Sequence, residues 1–401
     1  MTTNDRLTSV CVLVLAALML GGPILIAAEG EQDKQIDWDR ARELFRKQRS
    51  GKELTEEEKT YLKKATEARR RGGGRQGRRD GQRGEPGDRR GGRMTPKPMT
   101  GLVPLTELTA KYKGEDGGLY GDGKNTPPET HLSAAMTAAG QVKPLDGDGN
   151  AAERGKVVLL SIGMSNTTQE FSQFMRLLRS EKDLSPALVA VDGAQGGMDS
   201  AAWLGLRKNR RRTRDTWAYV AQQLKKAGVT PKQVQVVWIK QAMMGPANYG
   251  EFPDHAKKLS EQIGQIAVEA KKRYPNLRLA YLSSRIYAGY ATGPLNPEPY
   301  AYESAFSVRW IIQKQIEGDK KLNYDPAKGD VVAPVLLWGP YLWADGERPR
   351  KADKLVWMRK DLAGDGTHPS TSGRAKVAKM LLAFFKTDPT AKGWFLKASQ
   401  E

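Results

Sequence analysis

Cysteine is nearly missing from this chain: 401 residues hold one, Cys11. An intramolecular disulfide is therefore excluded, and so is a metal site built on several thiolates. Histidine is almost as scarce, at three residues, so the choice of a general base falls among His131, His255 and His368. Acidic residues are in deficit: 46 Asp and Glu face 65 Lys and Arg, a net charge of +19. Long apolar runs are rare too. The longest, residues 10–26, follows Arg6, is broken by Gly21-Gly22-Pro23, and ends at Ala27-Ala28 before an acidic, polar stretch. That layout predicts a signal peptide over residues 1–28 and an exported protein, periplasmic or extracellular, with no stable membrane insertion after cleavage. The run is short for a spanning helix, and an uncleaved membrane anchor is the alternative.

What is present falls into four further segments. Residues 37–68 predict a helical hairpin. Ala41, Leu44 and Phe45 share one helical face, and Thr55 with Glu58 spells a capping box. Residues 69–97 form an Arg/Gly-rich linker. Its stretch 69–93 has ten Arg against three acids, nine Gly and no aliphatic or aromatic residue. Such a composition cannot bury apolar surface and predicts disorder, with weak binding of anionic polymers as its one partner reading and no specific nucleic acid. Residues 98–155 read as an irregular, Gly/Pro-rich lead-in. "DGDGN" there lacks the ligand spacing of a calcium loop and reads as a turn. His131 reads as a surface or cap histidine.

From residue 156 the pattern becomes regular. Apolar runs at 156–163, 187–194, 234–241, 277–284 and 331–339 alternate with helical patterns, and a last helix covers 371–387. Continuous apolar strands between helices predict a parallel sheet covered on both faces. Ligands of such sheets bind beyond the carboxyl ends of the strands.

Those ends carry the polar chemistry. The first delivers "GMSN", with Ser165 either a helix N-cap or a nucleophile. The second ends in "DGAQGGMDS", where Gly196 or Gly197 would let a backbone N–H approach a developing oxyanion, or would simply make a tight turn. The third supplies the neutral amides Gln241 and Asn248, oxyanion donors or plain loop hydrogen bonders. The fourth brings Arg285 with Tyr287 and Tyr290, a set suited to lining a polar organic substrate or to packing beneath a long loop. Before the last helix stands "DGTHP". Asp365, three residues before His368, can bond Nδ1 and leave Nε2 facing a serine. His255 lies inside a helical charge pattern, which leaves His368 as the general base. The basic run 207–215 reads as a solvated insertion, or as a charge favouring anionic substrates if it lies near the site.

Taken together, "GMSN", the paired glycines, the amide and "DGTHP" resemble the SGNH hydrolase superfamily, the GDSL-type esterases. The likeness covers residues 156–388. It implies a three-layer α/β/α sandwich around a five-stranded parallel sheet of flavodoxin-like type. It also implies Ser165, His368 and Asp365 as nucleophile, base and orienting acid. Gly197 matches the second-block glycine. Gln241 is similar to the glutamine that some carbohydrate acetylesterases carry, with Asn248 as its competitor for the oxyanion hole. The family's usual aspartate beside the serine is replaced by Met164, and its third-block G-x-N-D is missing. The expected activity is cofactor-free, metal-free serine hydrolysis of a carbohydrate or other polar ester, with acetyl as the default acyl group. The alternative is a non-catalytic carbohydrate- or envelope-binding module on the same scaffold.

Overall fold

The computed structural model describes residues 36–49, 53–72, 94–207 and 215–398. The predicted signal peptide, most of the Arg/Gly stretch and the basic run 208–214 lie outside the described residues. The chain divides into two units, residues 1–88 and 89–401.

The first unit holds the predicted hairpin, α1 (Trp38–Arg49) and α2 (Glu56–Gly72). The Thr55 N–H donates to Glu58 Oε2 at 3.0 Å and the Glu58 N–H to Thr55 Oγ1 at 3.3 Å, the reciprocal capping box. Leu44, Leu54 and Leu62 meet beneath Tyr61. Helix α2 runs on to Gly72, so the helix extends four residues past the expected boundary at 68. Ala, Arg and Glu favour continuation there until the glycines at 72–74 end it.

The second unit opens with the irregular lead-in, which contains one helix the composition did not announce, α3 (Glu129–Gly140). It is rich in alanine, the strongest helix former. His131 lies on its buried face with Nε2 2.8 Å from the Leu336 carbonyl oxygen, so the expected surface histidine is a core residue. The "DGDGN" turn closes on the Asp146 carboxylate, which accepts the Asp148 and Asn150 N–H groups at 2.9 Å each.

The regular part then runs β1 (Val157–Gly163), α4 (Ser165–Leu178), β2 (Leu188–Asp192), α5 (Ser200–Trp203), α6 (Thr216–Lys226), β3 (Val234–Lys240), α7 (Asp254–Arg273), β4 (Leu279–Leu282), α8 (Tyr300–Ile316), β5 (Val335–Trp338), α9 (Thr371–Thr387) and α10 (Lys392–Phe395). The five strands form one all-parallel sheet in the order β2-β1-β3-β4-β5. β1 and β3 are buried along their whole length, which is why they read as uninterrupted apolar runs. Helices α4 and α9 pack on each other, and so do α7 and α8. Phe171 and Phe174 of α4 meet Trp238 of β3, Phe385 of α9 and Phe395 of α10. Each buried phenyl ring there contributes about 1.5–3 kcal/mol.

This packing fixes the site. Parallel strands place all five carboxyl ends along one edge. The register sets Gly163 of β1 beside Lys240 of β3. The residues just beyond, Ser165 and Gln241, therefore emerge as neighbours.

Candidate active site

Ser165 is the first residue of α4, and the N-cap position belongs to Met164. Its hydroxyl forms no capping bond; Ser165 Oγ lies 2.7 Å from His368 Nε2. His368 Nδ1 lies 2.5 Å from Asp365 Oδ2. Both ring nitrogens are thus engaged. With Nδ1–H donating to the carboxylate, Nε2 is left as the acceptor for the serine proton.

The strand-to-helix corner at Ser165 depends on Gly163. A Cβ there would fall 2.3 Å from Thr167 Oγ1 and 2.4 Å from the Lys240 carbonyl oxygen. Thr167 Oγ1 in turn donates to that carbonyl at 2.7 Å, tying the first turn of α4 to β3. Asn166 is buried, and its Nδ2 donates to the Thr367 carbonyl at 3.0 Å. One residue past the serine, α4 therefore holds the loop that carries the histidine.

That loop is built for its task. The other Asp365 oxygen accepts the N–H groups of Thr367 and His368, each at 3.0 Å. Partial burial raises the Asp365 pKa, but the bonds from the His368 ring and these two amides outweigh it and hold the carboxyl below the usual range. Gly366 has φ +68°, and a Cβ on it would strike the Tyr290 carbonyl. The Thr292 N–H donates to the Asp365 carbonyl at 3.1 Å. The loop after β4 is thus the platform on which "DGTHP" rests. Asp365 is exposed and His368 partly so, which makes the triad a surface arrangement. A cavity of about 870 Å³ lies elsewhere, between Trp203, Trp217 and helices α7 and α8, and touches none of the three residues.

Donors for an oxyanion surround the serine. The Ser165 N–H opens a helix and has no partner within it. The Gln195 N–H donates to the Gly163 carbonyl at 3.0 Å, which carries the next residue, Gly196, to the nucleophile. A Cβ on Gly196 would sit 3.9 Å from Ser165 Cβ, whereas one on Gly197 would meet nothing within 4 Å. The glycine against the serine is therefore Gly196. Gly197, at φ +77°, supplies the left-handed turn that presents it. Asp199 caps the short helix behind, accepting the Ala202 N–H at 3.0 Å. Gln241 is 2 % exposed, and its Nε2 has no hydrogen-bond partner among the described residues. Asn248 sits on an exposed 3₁₀ turn, Pro246–Tyr249. Of the two competing amides, only Gln241 is a buried, unspent donor.

Of the three residues expected to line the substrate, Arg285 is buried with Nε and Nη2 unpartnered. Tyr287 is fully buried, its hydroxyl donating to the Lys97 carbonyl at 2.7 Å. Tyr290 stacks edge-on against it and donates to Glu347 Oε1 at 2.9 Å. Tyr287 therefore has no free face for a ligand, and both tyrosines pack beneath the loop. Aromatic rings next to several glycines and prolines fit either reading, and only burial separates them. His255 is likewise structural, with Nε2 2.8 Å from Glu303 Oε2 in the core.

Two buried polar groups were not visible in the sequence. Glu170 of α4 and Lys240 of β3 form an ion pair with Nζ 2.7 and 2.5 Å from the two carboxylate oxygens. Burial pushes the Glu170 pKa up and the Lys240 pKa down to about 8, the partner's charge opposing each shift. At the end of β2, Asp192 gathers the hydroxyls of Ser161, Thr168 and Ser172 at 2.6–2.9 Å. A lysine closing an apolar strand was the only hint of the first group, and the Ser/Thr spacing on α4 of the second. No group of three or more His, Cys, Asp or Glu among the described residues is placed to hold a metal ion. Scanned against protein-family models the chain matches none, and no curated protein is significantly similar to it.

Proposed function

We propose that this protein is an exported serine ester hydrolase of the SGNH type that removes an acyl group, acetyl by default, from a carbohydrate or similar polar alcohol. The observation that carries this reading is the unbroken chain Ser165 Oγ, His368 Nε2, His368 Nδ1, Asp365 Oδ2, with links of 2.7 and 2.5 Å. The strand order 2-1-3-4-5, which is that of flavodoxin-like sheets, supports the fold side of the proposal.

In the reaction, His368 Nε2 takes the Ser165 proton as Oγ attacks the acyl carbonyl. Asp365 orients the imidazole and offsets the charge that forms on it. The Ser165 N–H, an N–H of the Gly196-Gly197 turn and Gln241 Nε2 donate to the tetrahedral oxyanion. The protonated His368 returns its proton to the leaving alkoxide. Water, deprotonated by the same nitrogen, then releases the acid and regenerates the serine.

Hydrolysis of an aryl acetate and labelling by a fluorophosphonate test the reading together. Wild-type protein is expected to do both, and Ser165→Ala to do neither while melting at the same temperature. A wild-type serine that ignores the fluorophosphonate, or a Ser165→Ala variant that retains full turnover, would leave the non-catalytic binding module in its place.

A further inference from the structure

We propose that Arg285 is the receptor for a carboxylate on the substrate, so that the ester cleaved is borne by an acidic sugar, an O-acylated hexuronate. The proposal rests on the ester-hydrolase reading above and narrows it to a substrate class.

Arg285 stands at the carboxyl end of β4, on the sheet edge that carries Ser165. The last paired residues of β3 and β4 are Ile239 and Leu282. Two positions further along each chain come Gln241 and Ser284, and Arg285 follows. Arg285 is 4 % exposed, and its backbone N–H donates to Ser304 Oγ at 3.1 Å. Its guanidinium is different: Nε and Nη2 have no hydrogen-bond partner among the described residues. These two nitrogens form one edge of the guanidinium and carry parallel N–H bonds, the fork that meets the two oxygens of a carboxylate. Ser284 Oγ is orphaned in the same way, beside Gln241 Nε2.

The carboxylates whose charge reaches Arg285 are Glu170, Glu298 and Asp365, and each is already committed. Glu170 is held through both oxygens by Lys240. Glu298 accepts the N–H groups of Ala288 and Tyr302 and the Trp343 indole N–H, at 2.8–2.9 Å. Asp365 holds His368. Glu170 and Lys240 cancel, which leaves the guanidinium as an uncompensated buried cation. Keeping a charge away from water without a partner costs several kcal/mol, and an anion docked on it recovers that cost. Gln241 is used on the reacting carbonyl. Arg285 and Ser284 therefore address a part of the substrate that does not react. The fork prefers a planar, two-oxygen group, which favours a carboxylate over a sulfate or phosphate.

The test compares kcat/KM for an O-acetylated hexuronate and for its methyl ester, which differ in the free carboxylate. Wild type should prefer the acid by about ten- to hundredfold, the range of one charge-assisted hydrogen-bonded contact. Arg285→Gln should bring the ratio near one, and Arg285→Lys should restore part of it. A purely structural arginine would change both substrates alike and leave the ratio standing. A wild-type ratio near one, or one that survives in Arg285→Gln, overturns the proposal, as does a stronger preference for an acetylated sugar sulfate. If Arg285→Gln fails to fold, the wild-type ratio and its competition by free hexuronate decide. Failure of the underlying reading shows separately, as loss of aryl acetate turnover and fluorophosphonate labelling. In that event calorimetry with free hexuronate decides, and absence of binding to wild type overturns the carboxylate receptor.

Discussion

At the residue scale the site depends on which polar atoms are spent and which are not. Gln241 and Asn248 are the same kind of donor seven residues apart, and nothing in their side-chain chemistry separates them. Burial does: Gln241 Nε2 is enclosed with no partner, and an enclosed donor without an acceptor is a standing cost of about 1–3 kcal/mol. A tetrahedral intermediate is the acceptor that fits. Gln241→Leu should therefore lower kcat on an aryl acetate by about 10²–10³-fold, as loss of one oxyanion donor does. KM should change little, and stability should hold or rise because an unsatisfied amide is removed. Asn248→Ala should leave kcat near wild type. Steady-state kinetics on both variants check this, and the opposite ranking would move the oxyanion donor to Asn248.

At the element scale, one helix and one strand carry the nucleophile. Helix α4 begins at the serine without a connecting loop, and two contacts press it onto β3: Thr167 Oγ1 on the Lys240 carbonyl and the Glu170–Lys240 ion pair. Both charges are buried, so removing one leaves the other stranded. Lys240→Met is expected to cost about 3–5 kcal/mol, whereas Glu170→Met combined with Lys240→Met should recover most of that loss. Urea denaturation of the two single variants and the double variant measures this coupling. Additive costs would mean that the pair does not act as a unit. The sequence announced the strand and the helix clearly, since an apolar run and a 3.6-residue period are local properties. It did not announce the clamp, because Glu170 and Lys240 are seventy residues apart and each alone reads as a surface charge.

At the scale of the whole molecule, the loops after β4 and β5 and the lead-in share one buried polar layer. Glu298 sits within it, and burial pushes its pKa up from 4.5 to about 7, against the hydrogen bonds from Ala288, Trp343 and Tyr302. Between those two values the native state keeps a proton that the unfolded chain has already released. The stability contributed by this group is therefore complete below pH 4.5 and is lost as pH rises towards 7. The urea midpoint should fall across that window, and in Glu298→Gln the fall should be shallower. An identical slope in wild type and variant would mean that other groups set the pH dependence. The same layer explains the correction at Tyr287 and Tyr290. Their hydroxyls hold the lead-in and the loop after β5 to the β4 platform, contacts made across about 190 and 57 residues of chain.

What the sequence alone determined is whatever depends on nearest neighbours along the chain. The alternation of apolar strands and amphipathic helices follows from side-chain periodicity. The capping box at Thr55 and the Asp365–His368 pair within one turn are set by spacings of three residues. The tertiary structure decided which of several equivalent donors faces the serine, that Gly196 rather than Gly197 abuts it, that His131 is a core residue, and that the Arg285 guanidinium is left unpaired. Those outcomes depend on how the ends of separate strands line up in the sheet and which carboxylates are already committed there. Such pairings follow from packing across the fold and have no signature in the local sequence.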